Sequence, residues 1–461
     1  MVHPNNITTL IIGGGPAGLT LATYMPGNVI LIEREATLGG CHRVRRDDEG
    51  YFSEHGPRVY NACYVNTKNV LEHIGLTWSE VFTPTPFSPE HIDGKHWYQW
   101  FSVRESFILT WQYLIYALWN KQYGKNVTMS EFCTANAFSP KSSRYIDHIC
   151  RFSDGAGAGR YTLWEFLSGL DQHLYRFYEP RTPLDQGVFA HWESFLKGRG
   201  VDLRLGTTVK KLMHKDGVIV GVELASGEKI RASRVVCAIP PAPMDELLRR
   251  SHLHEPGFHE FAERTEYDEY LSVCYHFPLD ESPLLDHREG ITSTPWGVLA
   301  RDLSQSMAME TACLSVAATQ LDVPSPTTGK TARHSSKEEV IDEILRQLPL
   351  RPQTKRRLVK AVMSSGLHKP TSSSWEDEDE AYVATARTTP QGPALQCCSN
   401  LFSVGCHNGQ SWYHFTSMEA AIENALAFLG NPRDYTLSLS DYVHVILIVG
   451  VGLGLVRFFI S

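Results

Sequence analysis

Apolar residues fall into short runs punctuated by glycine and proline, with stretches of helical period between them. Residues 8–12, Thr-Thr-Leu-Ile-Ile, form a β-rich apolar run that ends on glycines. Leu19 to Met25 has helical character, and Val29–Ile32 is a second apolar run. The pattern predicts strand, turn, helix, strand. Farther on it predicts a helix over His191–Lys197, a strand over Val201–Val209, and a hairpin from Gly217–Leu224 and Ile230–Ala232 about Ser226-Gly227. A buried strand at Arg234–Ile239 stops at Pro240-Pro241. Near the end, a strand at 400–404 runs into Gly405, and a helix starts about Ser417 and continues to Leu426. Strands alternating with helices predict an α/β fold. Between Trp97 and Trp119 aromatics are dense, and Val103–Trp119 has helical character. That helix reads as core, with a tunnel wall or a membrane surface as alternatives. Ser336 and Glu339 form a capping box for a helix over Lys337–Leu348. Asp154–Gly159 reads as a flexible loop, Pro324–Ser336 as a surface loop, and Trp375–Glu380 as a solvated acidic loop.

One apolar run is of another kind. Tyr442–Ile460, YVHVILIVGVGLGLVRFFI, is apolar but for His444 and Arg457. As a helix its 19 residues rise about 28 Å, close to a hydrocarbon core of ~30 Å. Gly450 and Gly454 have the spacing that lets membrane helices approach. It reads as a membrane anchor behind a polar linker; a buried core helix or a terminal strand is the alternative. The N-terminus has no leader-like pattern, so the catalytic part is expected to face the cytosol from a tail-anchored position.

At 461 residues the chain has material for two or three domains. Its net charge of -8 gives no basic excess to neutralise phosphates, which argues against nucleic acid as the main partner. Its ten cysteines form no CxxC pair, so no metal site is expected, and a reducing compartment suits them.

The glycines carry the chemistry. Gly13-Gly14-Gly15-Pro16-Ala17-Gly18 follows the first strand and opens the first helix. Gly13 permits the tight turn, Gly15 lets backbone approach a pyrophosphate, and Gly18 lets helix and strand pack closely. Pro16 and Ala17 begin the helix, whose N-terminus attracts phosphate. Glu33 stands 20 residues after Gly13, where a carboxylate accepts from a ribose diol. This motif alone does not separate FAD from NAD.

The residues after Glu33, Arg34-Glu35-Ala36-Thr37-Leu38-Gly39-Gly40-Cys41-His42-Arg43, resemble the FAD-dependent amine oxidase, protoporphyrinogen oxidase and phytoene desaturase superfamily. The resemblance implies FAD as cofactor. Arg34, next to Glu33, joins the expected contacts. Gly39 and Gly40 would pass close to the cofactor, and Arg43 would add positive charge near its phosphates. It also implies that the turn Gly56-Pro57, with His55 and Arg58, lies near the flavin ring; a surface turn is the alternative. Val209 is the position carried over for the adenine contact. Gly405, Ser417 and Met418 match the C-terminal flavin motif, in which backbone N–H groups at a helix start face the ring oxygen. Trp412 to Phe415 would wall the flavin or the substrate pocket, or pack in the core. Two positions depart from the pattern: Cys41 stands where members often have Arg, and Cys406 where many have an acid.

The implied architecture is a Rossmann-like FAD-binding domain, discontinuous in sequence (1–66, 185–245 and 388–432), with an inserted α+β substrate domain (67–184 and 246–387). A linker at 433–441 and a C-terminal hydrophobic helix at 442–460 complete it. The implied reaction moves a hydride from an amine or an apolar unsaturated substrate to flavin N5, with oxygen or a quinone-type acceptor. No catalytic residue is assigned. A flavin-dependent isomerase of the UDP-galactopyranose mutase kind, or an inactive membrane-anchored scaffold, are the alternatives. Expected partners are a small apolar substrate and a membrane through the C-terminal segment, with a homodimer open.

Overall fold

The computed structural model describes residues 7–85, 91–92, 95–96, 99–173, 177–267, 269–285, 293–364, 367–369, 375–377, 392–411 and 417–432. Its centre is a five-stranded parallel sheet. In chain order the strands are β1 (Thr8–Ile12), β2 (Asn28–Ile32), β3 (Asp202–Arg204), β4 (Arg234–Cys237) and β5 (Leu401–Ser403). Their spatial order is β3-β2-β1-β4-β5, and each neighbouring pair is parallel. Strands covered on both faces need continuous apolar runs, and Leu10, Ile11, Leu31, Val235 and Val236 are buried.

Helix α1 (Pro16–Tyr24) follows β1, with all of Pro16 to Thr23 buried. Gly18 makes this possible. A Cβ there would collide with the Gly13 carbonyl oxygen and stand 3.1 Å from its carbon. Further helices used below are α2 (Val65–His73), α3 (Val103–Leu118) and α4 (Met418–Phe428). Helix α4 shares a core cluster with α1, through Leu19, Leu21, Met418, Ile422 and Ala425.

Several antiparallel sheets accompany the central one. Val209–Lys215, Val218–Leu224 and Lys229–Arg231 form the hairpin sheet expected about Ser226-Gly227. Val298–Asp302, Ala312–Ala318, Leu271–Phe277 and Lys360–Met363 form a four-stranded sheet in that order, its two middle strands wholly buried.

Three expectations change. The run Val201–Val209 is not one strand. Gly206 turns it at φ +60°, its N–H bonding Glu35 O at 2.8 Å and Thr207 N–H bonding Glu33 O at 2.9 Å. Val209 therefore starts a strand of a different sheet. Asp154–Gly159 is a built turn: Gly155 caps a helix in the left-handed region, and Ala158 N–H bonds Asp147 Oδ1 at 2.8 Å. Helix α3 is core on one side only, with Leu109, Tyr113 and Tyr116 buried but Phe107, Trp111 and Leu118 exposed. Among the described residues no helix is long and apolar enough to cross a membrane. The expected anchor at 442–460 and the aromatic run 412–415 lie outside the described residues.

Candidate functional site

The glycine turn borders a cleft of about 300 Å³ at the C-terminal ends of β1, β2 and β4, where parallel α/β sheets offer sites. Gly13, at φ +110°, closes the turn and donates to Ile32 O at 2.8 Å. Gly13, Gly15, Pro16 and Ala17 line the cleft. Gly15 caps α1 with no side-chain bond, so the first-turn N–H groups and the positive dipole end stay available to an anion. Gly40 packs across from Gly15: a Cβ on Gly40 would lie 2.9 Å from the Gly15 Cα. Gly18 and Gly39 do not line the cleft but support it from behind. Gly39 donates to Gly14 O at 2.9 Å and leaves its side-chain space to the Phe189 ring.

Glu33 lines the cleft and is 7% exposed. Its Oε2 accepts from Gly14 N at 2.6 Å and its Oε1 from Glu35 N at 2.9 Å. It thus holds the glycine turn, while a carboxylate's further lone pairs keep capacity for a diol. Arg34 and Arg43 also line the cleft. Both reach Glu35, at 3.4 and 3.9 Å, with Arg45 at 3.9 Å. Sequence reasoning passed over Glu35, the acid that gathers them. Val209 and Gly405 stand on the cleft wall.

Cys41, Cys406 and His407 complete that wall. Burial pushes the Cys406 thiol up to about 12 and His407 down to about 4. His407 Nε2 pairs with Ser403 Oγ at 2.9 Å. The wall is therefore neutral where many family members place an acid.

A second cavity of about 120 Å³ holds the other expected residues: Gly56, Pro57, Arg58, Ser417 and Met418. The two spaces share walls. Gly40 and Cys41 face the first and His42 the second; Met418 faces the second and Ala421, on the same helix, the first. Arg58 Nη2 crosses between them, donating to Cys41 O at 2.5 Å. Gly56 must lack a side chain because a Cβ would stand 2.8 Å from the Tyr270 ring. Ser417 Oγ accepts from Ala420 N at 3.0 Å and caps α4.

Several residues here carry no sequence motif. His42 is buried, with Nδ1 3.1 Å from the Tyr60 hydroxyl and Nε2 without a hydrogen-bond partner among the described residues. Burial, then Arg58 and His55, hold it well below 6.5, so the ring is neutral. Glu54 is pushed up to about 7 by burial, against the pull of Ser315, Arg58 and Arg301. Arg301 forms a buried ion pair with Glu179 and donates to Thr85 Oγ1 at 2.6 Å. Glu419, in the first turn of α4, accepts from Asn66 N (2.8 Å), Asn66 Nδ2 (3.0 Å), Thr67 N (2.8 Å) and Thr67 Oγ1 (2.7 Å), fastening α4 to α2. Among the described residues no cluster could hold a metal ion.

With this geometry in view, comparisons with known proteins are specific. The family model of flavin containing amine oxidoreductases matches residues 131–427, and that of an NAD(P)-binding Rossmann-like domain matches residues 11–74. No curated protein matches the chain. Among solved structures, an oxidoreductase from Methanosarcina mazei is similar at 14% identity and TM-score 0.65, over 92% of this chain and 100% of that one. A putrescine oxidase solved with putrescine is similar at 13% identity and TM-score 0.64, over 92% and 98%. At such identities they show a common α/β Rossmann-like fold. The amine oxidoreductase match spans more than half of the sequence, so the chain belongs to the flavin containing amine oxidoreductase family and is an FAD-dependent oxidoreductase.

Proposed function

We propose that the chain oxidises a small, apolar, unsaturated substrate that carries a negative charge, rather than a free cationic amine. One observation supports this most. Arg58, Arg151 and Arg301 border the second cavity, and among the described residues lining it there is no Asp or Glu. Arg301 and Arg151 are paired with Glu179 and Asp147 behind the wall, so the like charge that a protonated amine would meet in this partly water-excluded space is chiefly that of Arg58. Phe152, Phe177, Leu299 and Tyr270 supply the apolar remainder.

The residues suit FAD. Gly15 and Gly40 leave an uncluttered backbone cradle before an uncapped helix start, and His42 lines the second cavity beside Arg58 and Tyr60. In this reading Gly13, Gly15, Pro16, Ala17, Glu33, Arg34, Gly40, Arg43, Val209 and Gly405 hold the adenosine diphosphate part. His42, Gly56, Pro57, Arg58, Ser417 and Met418 wall the ring part. When bound, FAD supplies the hydride acceptor, and a diffusible oxidant such as oxygen or a quinone removes the electrons. Arg58 and the N-terminus of α4 set a positive potential at the cavity, which favours developing negative charge. Tyr60 orients the neutral His42 ring, and Arg301, held by Glu179, positions the substrate's anionic end. The discontinuous division into FAD-binding segments (1–66, 185–245, 388–432) and substrate segments (67–184, 246–387) belongs to this proposal. So do a cytosol-facing catalytic part and a tail anchor at 442–460.

The test is anaerobic bleaching of the flavin by matched substrates. A polyunsaturated acid should bleach it, and the corresponding primary amine should not. Bleaching by the amine alone contradicts the reading. Product formation with no acceptor consumed would assign mutase-like isomerisation instead.

A further inference from the structure

Helix α3 presents an apolar stripe to solvent. Val103, Phe107, Trp111 and Leu118 are 54, 70, 49 and 61% exposed, and the following Trp119 is 75% exposed. Val127 adds to it at 38%. Six of the eleven large exposed hydrophobics among the described residues thus fall within one short segment. Single exposed apolar residues need no explanation, but a contiguous patch does. The spacing of Val103, Phe107 and Trp111 is one residue per helical turn, so they share a face. The opposite side, through Leu109, Tyr113 and Tyr116, is anchored in the core. The helix is therefore fixed in place with this face outward.

The charges beside the stripe select the occupant. Between Ser102 and Thr128 the cations are Arg104, Lys121 and Lys125, and the single acid is Glu105. Glu105 is 3% exposed, and its carboxylate is taken up by Ser102 and Ser139. The outward charge is positive, in a chain whose net charge is -8. Arg104 is exposed within the helix, whereas Lys121, 4.3 Å over the Tyr116 ring, and Lys125, 4.1 Å over the Trp164 ring, are half-buried against core aromatics just past its C-terminal end.

We infer that this face lies on the surface of an anionic lipid bilayer. Tryptophan and phenylalanine with flanking lysines are the composition of an interfacial helix. With 16 residues the helix is about 24 Å long, short of the ~30 Å hydrocarbon core, so it rests in the interfacial plane and does not cross. The contact rests on α3 itself and needs nothing from residues 442–460.

The test uses the full chain in phosphatidylcholine vesicles, with and without phosphatidylserine, whose acyl chains carry bromine as a fluorescence quencher. The chain has ten tryptophans, so wild type is compared with the Trp111→Phe, Trp119→Phe double variant, which keeps the face apolar. Wild-type fluorescence should be quenched, more with phosphatidylserine than without, and less as salt rises. The double variant should lose most of the quenchable signal. Equal quenching in wild type and variant overturns the inference. So does shielding of Trp111 and Trp119 in lipid-free solution by a second copy of the chain, read as a concentration-dependent dimer. Equal quenching with and without phosphatidylserine overturns the anionic assignment.

Discussion

Gly40→Ala tests how the cradle is built. Gly40 sits at φ +54°, and a Cβ there would lie 2.9 Å from the Gly15 Cα. Ordinary contact begins near 3.4 Å, so the turn or the phosphate-facing loop must give by roughly half an ångström. The left-handed backbone adds about 1–2 kcal/mol for any residue with a side chain. Crowding adds about 1–3 kcal/mol. Gly50→Ala separates the two costs. Gly50 has φ +86° but a Cβ there meets nothing within 4 Å, so it carries the backbone cost alone. If the crowding at Gly15 is transmitted to the cofactor, FAD affinity in Gly40→Ala should fall roughly 5- to 150-fold below that of Gly50→Ala. The assay is titration of FAD into each apoprotein, with thermal unfolding at graded FAD as a check, since a ligand binding only the folded state raises the midpoint. Equal affinity in the two variants would refute the reasoning, because it would leave Gly15 and Gly40 with no bearing on the ligand.

Arg301→Met strands the buried Glu179 carboxylate and should cost about 3–5 kcal/mol in urea unfolding; the Arg301→Met, Glu179→Met pair should cost less, and a single variant as stable as wild type would contradict a structural ion pair. Glu54, raised from 4.5 to about 7, favours the fold when protonated. Its contribution, roughly 3 kcal/mol, is full below 4.5 and lost as pH rises through 7, and Glu54→Gln should flatten that limb of a stability–pH profile. His407, lowered from 6.5 to about 4, acts in the opposite sense: its neutral ring stabilises fully above 6.5 and the benefit is lost as pH falls through 4, a limb that His407→Gln should remove. Ser336→Ala removes the cap on the helix Lys337–Gln347, where Ser336 Oγ accepts from Glu339 N at 3.2 Å. It should cost about 1 kcal/mol, seen as faster amide exchange in that helix's first turn.

Local features were readable from the sequence and distant ones were not. The strand, glycine turn, helix and strand at 8–32 follow from residues adjacent in the chain, and so do the Ser226-Gly227 hairpin and the Ser336–Glu339 cap. The Arg301–Glu179 pair spans 122 positions, and Glu419 reaches Asn66 and Thr67 across 353 and 352. Each partner alone looks like an ordinary polar surface residue. Glu33 was legible as the acid at the right offset, but not its second task of holding Gly14 N–H, which depends on the turn's three-dimensional path. The break at Gly206 was hidden because apolar period alone does not reveal that a strand must stop to bond the Glu33–Glu35 backbone. On α3, aromatic content suggested core, while exposure depends on which neighbours arrive.

The most direct test of the account is to purify the full chain in mild detergent, release whatever it holds with acid, and identify it by mass spectrometry against protein concentration. FAD in near-equal proportion to the chain, with the flavin's visible absorbance before release, is the expected result. A colourless protein that takes up no FAD on reconstitution would contradict it.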